Sequence, residues 1–232
     1  MYTSLQYPDF TVEVEVFHHD FVCLRSADRR SLPRLGRAIF RKQLDFVAEV
    51  VATEVELLLQ LRGPFTPAHW TQLQEIDLAP ESAVREWRLP VWWGGEADWS
   101  RVIGHTSVDR ASYREQLIQT TFSVAMLGFL PGFAYLQGLP AALWVPRKTV
   151  PAKYVAAGSL AVGGKYLGVY ALDSPGGWNV IGRTPLQLLQ IPDLPPVPYL
   201  PGDTFRIEAI GPHQFRDLQA RSLHLIEYHA TT

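Results

Sequence analysis

One cysteine in 232 residues leaves this chain unable to form an internal disulfide bond, which fits a reducing compartment. No apolar run approaches the roughly 20 residues that span a bilayer. The first ten residues also lack the basic and then apolar order of a secretory signal. The net charge of -2 gives no basic excess for binding nucleic acid. We therefore expect a cytoplasmic protein that binds neither membranes nor nucleic acids.

The composition is that of a globular protein, with 47% apolar and 19% charged residues. The length allows one large domain or two domains of ordinary size. Tryptophan is frequent, with seven residues, of which four lie between positions 87 and 99. That local group predicts either buried packing or an aromatic patch that faces a partner.

The first ninety residues mix strand and helix patterns. Strict alternation of valine with polar residues over 11–16 predicts a half-buried strand, with a second strand at 21–24 beyond a turn at 18–20. Apolar residues at helical spacing predict a helix over 33–51, with Arg34, Arg37, Arg41 and Lys42 on its solvated side. A strand at 54–61, a helix at 67–77 and a strand at 87–91 follow. This order predicts a two-layer α/β domain over residues 1–94.

The remainder, residues 95–232, is dominated by short strand patterns. Two helices are expected first, at 96–103 and at 108–119 with Ser107 as the N-cap of the second. We find no helical period after a strand at 121–127. The further predicted strands cover 159–162, 167–172, 178–181, 186–191, 204–209 and 223–228. Such spacing predicts a β-barrel or sandwich, and the prolines of 192–201 predict a stiff surface connection within it.

Several familiar site patterns fail. Cys23 lies inside a predicted strand and is interpreted as a core residue. Residues 158–165 resemble a phosphate-binding loop, but Gly164 and Tyr166 break the required spacing and no helix pattern follows. The seven histidines show no metal-ligand spacing, since His224 and His229 fall on opposite faces of a predicted strand. No Gly-x-Ser-x-Gly elbow is present. The sequence therefore assigns no catalytic residue and no metal site.

The stretch from 128 to 185 alternates glycine and proline with aromatic residues, as tight corners of a β-domain do, with or without a binding surface. Its distinctive blocks are Gly128-Phe-Leu-Pro-Gly-Phe-Ala-Tyr-Leu136, Pro146-Arg147 with Pro151, Gly158-Ser159, Ser174-Pro-Gly-Gly-Trp178 and Ile181-Gly-Arg-Thr-Pro185. In this order the blocks resemble the family of 5-oxoprolinase B subunits, which is also called allophanate hydrolase subunit 1 or KipI-like.

The resemblance implies an α+β protein in which the N-terminal α/β domain precedes a cyclophilin-like β-barrel. It also implies partners, namely homologues of 5-oxoprolinase subunits A and C. The assembled system resembles an ATP-dependent hydrolase that opens 5-oxo-L-proline (pyroglutamate) to L-glutamate. ATP with Mg²⁺ belongs to the complex, and neither is evident in this chain, which we expect to be inactive alone. Two alternatives remain open: a regulator that inhibits a sensor histidine kinase, and a subunit of an allophanate- or urea-degrading system.

A five-membered lactam is an unactivated amide, so phosphoryl transfer to its oxygen would prepare the carbon for water. Such a site needs cations and backbone N–H groups. Arg183 is the candidate guanidinium fork for a carboxylate or phosphate, and the amides of Gly132, Gly176 and Gly177 are a candidate nest. The complete set of candidate ligand-binding residues is Phe129, Pro131, Gly132, Phe133, Arg147, Ser159, Ser174, Gly176, Gly177, Trp178, Arg183 and Thr184.

Structural interpretations stand beside these functional ones. Arg183 could instead tie a loop through backbone carbonyls, and Phe129, Phe133 and Trp178 could pack in a core or a subunit interface. The sequence also departs from the family pattern in three places. Residues 117–122 lack the family's histidine, Ala152 replaces an arginine, and 166–171 read Tyr-Leu-Gly-Val-Tyr-Ala in place of Gln-Thr-Gly-Ile-Tyr-Pro. Each departure removes a polar group, so the substrate and this chain's share in catalysis stay open.

Overall fold

The structure, a computed structural model, describes residues 4–28, 31–53, 55–78, 84–95, 98–190 and 196–231. The chain divides into two compact units, residues 1–84 and 85–232. In the described part of the chain, no helix combines the length and apolar character that crossing a bilayer requires.

The first unit is a five-stranded antiparallel sheet with two helices. Its strands are β1 (Ser4–Gln6), β2 (Thr11–Phe17), β3 (Phe21–Arg25), β4 (Val47–Ala52) and β5 (Glu56–Leu61), in the sheet order β1-β2-β3-β5-β4. The helices are α1 (Ser31–Lys42), which packs on β4 and β5, and α2 (Pro67–Gln74), which packs on β1. This is the expected two-layer arrangement. Val12 and Val14 are buried as the alternation predicts, and Cys23 is a buried core residue.

The predicted helix over 33–51 is wrong in its second half. The helix ends at Lys42, and Gln43 adopts a left-handed φ of 48°, which an α-helix cannot continue through. The chain then re-enters the sheet as β4, because its backbone pairs with β5. Arg41 and Lys42 are exposed as expected, but Arg37 is buried. Glu54 and Glu96, where two predicted elements begin, lie outside the described residues.

The second unit contains a seven-stranded sheet that curls on itself. Its strands are β6 (Glu86–Val91), β7 (Thr121–Leu127), β8 (Ala134–Gln137), β10 (Ser159–Gly163), β11 (Tyr166–Val169), β13 (Asn179–Arg183) and β14 (Thr204–Ala209). The order is β13-β10-β11-β8-β7-β14-β6. Beyond the end of β6, Trp92 exchanges two backbone hydrogen bonds with Arg183 of β13, at 2.8 and 2.9 Å. This bridge links the two edges of the sheet, and the cyclophilin-like barrel expected from the sequence is confirmed.

The strand at 86–91 belongs to this second unit, not to the N-terminal domain in which the sequence prediction placed it. β6 pairs in parallel with β14 from Glu86 to Val91. The division of the chain accordingly falls between Val84 and Arg85, ten residues before the predicted boundary. The Gly94-Gly95 pair that suggested the boundary is only a turn beyond the strand.

The remaining elements of the second unit are helices and a small ribbon. The helices are α3 (Trp99–Thr106), α4 (Arg110–Gln119), α5 (Pro212–Ala220) and α6 (Leu225–Thr231). The ribbon pairs β9 (Ala152–Val155) with β12 (Ser174–Gly176). Asp109, not Ser107, caps α4, because its carboxylate accepts hydrogen bonds from Ala111 N and Ser112 N. The strand predicted at 223–228 is wrong, since α6 begins at Leu225. The proline-rich connection at 192–201 lies partly outside the described residues.

Candidate functional site

A cavity of about 600 Å³ opens in the second unit at the end of β13. Arg183 and Thr184 line one side, and Tyr154, residues 156–158 and residues 171–173 form neighbouring walls. Residues 185–189, Gln219, Ser222 and His224 complete the lining. The volume lies within the range of about 300–1,000 Å³ that small-molecule sites occupy.

Arg183 presents an incompletely used guanidinium to this cavity. Its Nη2 donates one hydrogen bond, at 3.2 Å, to the carbonyl oxygen of Ala157. Its Nε is buried and has no hydrogen-bond partner among the described residues. Part of the side chain therefore ties the loop, as the structural interpretation held, and the rest is available. An unsatisfied buried donor costs about 1–3 kcal/mol, so this guanidinium has hydrogen-bonding capacity that the described residues do not use.

His224 lines the same cavity and also carries a buried polar atom without a partner in the described part of the chain, its Nδ1. The backbone around it is fixed. Leu225 N donates to Gln187 O at 3.1 Å, Gln187 N donates to Leu223 O at 3.0 Å, and His224 N donates to the Glu227 carboxylate at 2.7 Å. An imidazole nitrogen can donate or accept a hydrogen bond according to its tautomer. Two residues that line the cavity, Arg183 and His224, therefore each carry a buried polar atom without a partner among the described residues.

Asp173 and Tyr154 form the acidic wall of the cavity. The Asp173 carboxylate accepts hydrogen bonds from Ala157 N at 2.7 Å and from the Tyr154 hydroxyl at 3.1 Å. The hydrogen bond to Asp173, followed by desolvation and the charge of Asp173, raises the pKa of Tyr154, while Arg183 acts in the opposite direction. The pKa of Tyr154 therefore depends on the charges of both Asp173 and Arg183.

Gly158 makes the corner that joins these walls. Its φ is +80°, and a Cβ atom there would lie 2.5 Å from the carbonyl oxygen of Thr184. The close approach lets Thr184 N donate to Gly158 O at 2.8 Å. Thr184 itself is buried, and its hydroxyl accepts from Leu186 N. Only glycine permits this conformation without strain.

Phe133 and Trp178 belong to a buried aromatic cluster under the β9–β12 ribbon, not to the cavity. The cluster also contains Tyr170, and the rings of Phe133 and Trp178 meet edge to face at 5.3 Å. The indole lies directly on Gly163 and Gly168, where Cβ atoms would approach it to 2.5 and 3.0 Å. These contacts support the packing interpretation of the two aromatic residues.

Arg147 and the two ribbon glycines lie around the same cluster. The Arg147 guanidinium lies 5.6 Å from the centre of the Trp178 ring, within cation–π range. The carbonyl of Gly177 accepts from Lys148 N at 2.6 Å, and Gly176 lies against the Tyr170 hydroxyl. These glycines do not line the Arg183 cavity, so the structure does not unite them with Arg183 in one nest.

The other candidates occupy separate positions. Ser159 and Ser174 are buried, and the Ser174 hydroxyl has no partner among the described residues. Phe129 is 58% exposed with a left-handed φ of 69°, and Pro131 is exposed. Gly132 lies against Ala171 and Leu189, two residues of the cavity wall.

Of the residues that line the cavity, the sequence reasoning selected only Arg183 and Thr184, and the polar residues that it missed include Tyr154, Asp173 and His224. His224 was visible as a histidine but was assigned to a strand. Asp173 directly precedes the Ser-Pro-Gly-Gly-Trp block, which was a usable signal. Nothing in the sequence marks Tyr154. The completed arrangement can hold an anionic or strongly polar small molecule between a guanidinium and an imidazole.

Comparison with known proteins identifies the family. The model for the carboxyltransferase domain, subdomain C and D, matches residues 15–199. The 5-oxoprolinase B subunit of Escherichia coli O157:H7 is 40% identical over 139 residues, which cover 59% of this chain and 62% of the relative. The protein of the same name from Bacillus subtilis (strain 168) is 34% identical over 153 residues, covering 65% of this chain and 64% of the relative.

The match thus spans less than two thirds of each relative's length. Among solved structures, the crystal structure of TTHA0988 superimposes with a TM-score of 0.72 at 26% identity, over 82% of this chain and 40% of that one. The family resemblance found from the glycine- and proline-rich blocks is confirmed, and the chain belongs to the family of the carboxyltransferase domain, subdomain C and D.

Proposed function

We propose that this chain is the B subunit of an ATP-dependent 5-oxoprolinase complex, which opens 5-oxo-L-proline to L-glutamate together with subunits A and C. The single observation that carries the proposal is the 40% identity to a relative named as a 5-oxoprolinase B subunit. Similarity over part of the length to proteins named as 5-oxoprolinase B subunits supports membership of such a system. The reaction and the partners are our inference.

The Arg183 cavity is our candidate for this chain's contribution. 5-Oxoproline carries one carboxylate, one lactam N–H and one carbonyl oxygen. The unspent guanidinium of Arg183 suits the carboxylate, since Arg–carboxylate pairs are charge-assisted and geometrically specific. The Nδ1 of His224 suits either polar group of the lactam, according to its tautomer. Both residues line the cavity, and each has a buried polar atom without a partner in the described chain, which supports the proposal of a polar ligand here.

ATP enters the proposal only at the level of the complex. In this chain, residues 158–165 form strand β10 and the turn into β11, and no helix N-terminus follows to receive phosphates. We therefore assign this chain ligand binding and no nucleotide step, and we expect it to be inactive alone. The cytoplasmic location expected from its single cysteine remains a prediction.

Reconstitution tests the proposal directly. The purified chain is mixed with its candidate A and C partners, ATP, Mg²⁺ and 5-oxoproline, and glutamate is measured. We expect glutamate only when all three proteins are present. Absence of glutamate from a correctly assembled complex would contradict the proposed function.

An arginine variant tests the cavity within that assay. A hydrogen bond to a charged group contributes about 1.5–3 kcal/mol, so Arg183→Ala should lower kcat/KM by about 10- to 150-fold. Arg216→Ala is the matched control, because Arg216 is an exposed arginine of α5 in the same unit. If Arg183→Ala unfolds the barrel in a circular-dichroism melt, or matches Arg216→Ala in activity, the assignment of Arg183 to ligand binding is wrong.

A further inference from the structure

The turn between β2 and β3 brings three potential metal ligands together. His18, His19 and Asp20 each offer one ligand atom, and the three atoms lie within 4.8 Å of one another. The Nδ1 atoms of His18 and His19 are 3.0 Å apart, and His18 Nδ1 is 2.7 Å from an Asp20 carboxylate oxygen. Sequence spacing could not reveal this group, because the ligands are consecutive residues and not the separated pairs of a known metal motif.

These three atoms compete for one proton. A neutral imidazole nitrogen carries either a hydrogen or a lone pair, so His18 Nδ1 can donate to Asp20 or accept from His19, but not both. A divalent cation would engage the lone pairs of all three at once.

The distances suit such an ion. Two nitrogen ligands at 2.0–2.1 Å from a tetrahedral zinc ion lie about 3.3 Å apart, close to the observed 3.0 Å between the two Nδ1 atoms. Two imidazoles with one carboxylate form a ligand set that suits zinc, copper or nickel ions better than calcium or magnesium ions.

The backbone of the turn is fixed, while its side chains are open to solvent. Phe17 and Phe21 close the β2–β3 pair. Asp20 O accepts from Leu61 N at 2.7 Å, and His19 O accepts from Phe65 N at 3.1 Å. The His18 side chain is 68% exposed, which leaves room for water in the remaining coordination positions.

We propose that His18, His19 and Asp20 form a binding site for a divalent transition-metal ion. The site lies in the first unit and is independent of the Arg183 cavity and of the proposed function. Copper(II) should bind more tightly than zinc, as it does for most nitrogen and oxygen ligand sets.

Titration calorimetry of the tag-free full chain with Zn²⁺, and electron paramagnetic resonance with Cu²⁺, test the site. We expect one zinc ion per chain and a copper spectrum that shows two coordinated nitrogens. The variant His18→Asn/His19→Gln should bind zinc at least about 10-fold more weakly, since even the loss of an outer-shell partner costs 10- to 100-fold. Asparagine is chosen at position 18 because it tolerates the left-handed φ of 48°.

His213→Gln is the matched control, because His213 forms an isolated pair with Asp217 at the same 2.7 Å as His18 with Asp20. It should bind zinc as the wild type does. The proposal is overturned if the wild type and the double variant give the same isotherm, or if copper shows fewer than two nitrogens. It is also overturned if His213→Gln abolishes binding.

Discussion

Gly158 is the residue on which the shape of the cavity depends most directly. A methyl group there would meet the Thr184 carbonyl at 2.5 Å, and its φ of +80° disfavours any L side chain. We predict that Gly158→Ala lowers the free energy of unfolding by about 2 kcal/mol or more. Urea denaturation monitored by tryptophan fluorescence measures this change.

Gly104→Ala is the contrasting substitution. Gly104 lies inside α3 with open space around its Cα, so alanine should stabilise the protein by about 0.5–1 kcal/mol. Equal effects at the two positions would mean that the corner at Gly158 is not constrained as the structure shows.

Tyr154 provides a pH-dependent readout of the cavity. Because Asp173 raises the pKa of the phenol and Arg183 lowers it, the two neighbours can be separated by substitution. Asp173→Asn should move the pKa of Tyr154 down towards its ordinary value of about 10, whereas Arg183→Ala should move it further up. Ultraviolet difference titration, with Tyr154→Phe as the blank, measures both shifts. Movement in the same direction for both variants would contradict the arrangement.

At the residue scale, local chemistry predicted part of the cavity. Arg183 was identifiable because a conspicuous Ile-Gly-Arg-Thr-Pro block carries it, and Thr184 came with it. Tyr154 and Asp173 contribute through a wall formed by the β9–β12 ribbon and the turn before it, and strand pairing over such separations is not visible in sequence. His224 was lost for another reason: the apolar residues around it fit a strand as well as a helix.

Asp203 connects the beginnings of two neighbouring strands, β6 and β14. Its buried carboxylate accepts hydrogen bonds from Arg85 N at 3.0 Å, Trp87 Nε1 at 3.2 Å and Leu200 N at 2.9 Å. Asp203→Ala leaves these donors without that acceptor. Trp87 is buried, whereas Arg85 is exposed and Leu200 is half-buried, so one buried unsatisfied donor at about 1–3 kcal/mol sets the scale of the effect. We predict that Asp203→Ala lowers the free energy of unfolding by about 2 kcal/mol or more.

The same denaturation experiment checks this prediction, and Asp217→Ala supplies its control. Asp217 is exposed on α5 and pairs only with an exposed histidine in the described structure, so its removal should change stability by less than about 0.5 kcal/mol. If Asp203→Ala changed the free energy of unfolding as little as Asp217→Ala, the Asp203 carboxylate would not be holding the two strands together.

At the scale of the element, strands and helices were predictable where the sequence pattern fits only one type of secondary structure. The alternating valines of 11–16 predicted β2, because only a strand places every second residue on one face. The helix prediction for 33–51 was wrong in its second half because the apolar spacing fits a helix as far as Val51. The left-handed φ at Gln43 and the pairing of β4 with β5 depend on tertiary structure, which this spacing does not report. Pro212 at the start of α5 is a helix signal, but no helix was predicted there.

At the scale of the whole molecule, two units were predicted correctly from the sequence, but their division was misplaced. A strand belongs to the unit in which its backbone finds partners, and β6 finds its partner in β14, far along the chain. Pro90 suits the edge position that β6 occupies in the sheet, since proline cannot donate to a further strand. The adjacent Gly94-Gly95 pair was a strong local signal, but it marks a turn between β6 and α3.

The position of the division predicts which fragment folds. A fragment of residues 85–232 keeps β6, whereas a fragment of residues 95–232 loses the buried side chains of Trp87, Leu89 and Val91 and leaves β14 unpaired on one side. Removing three large core side chains at about 2–5 kcal/mol each is comparable to the roughly 5–15 kcal/mol that stabilises a whole domain. We therefore expect dispersed amide resonances and a cooperative melt from 85–232, and neither from 95–232. A cooperative melt of the shorter fragment at the same temperature would show that β6 is dispensable and would restore the boundary near Gly94.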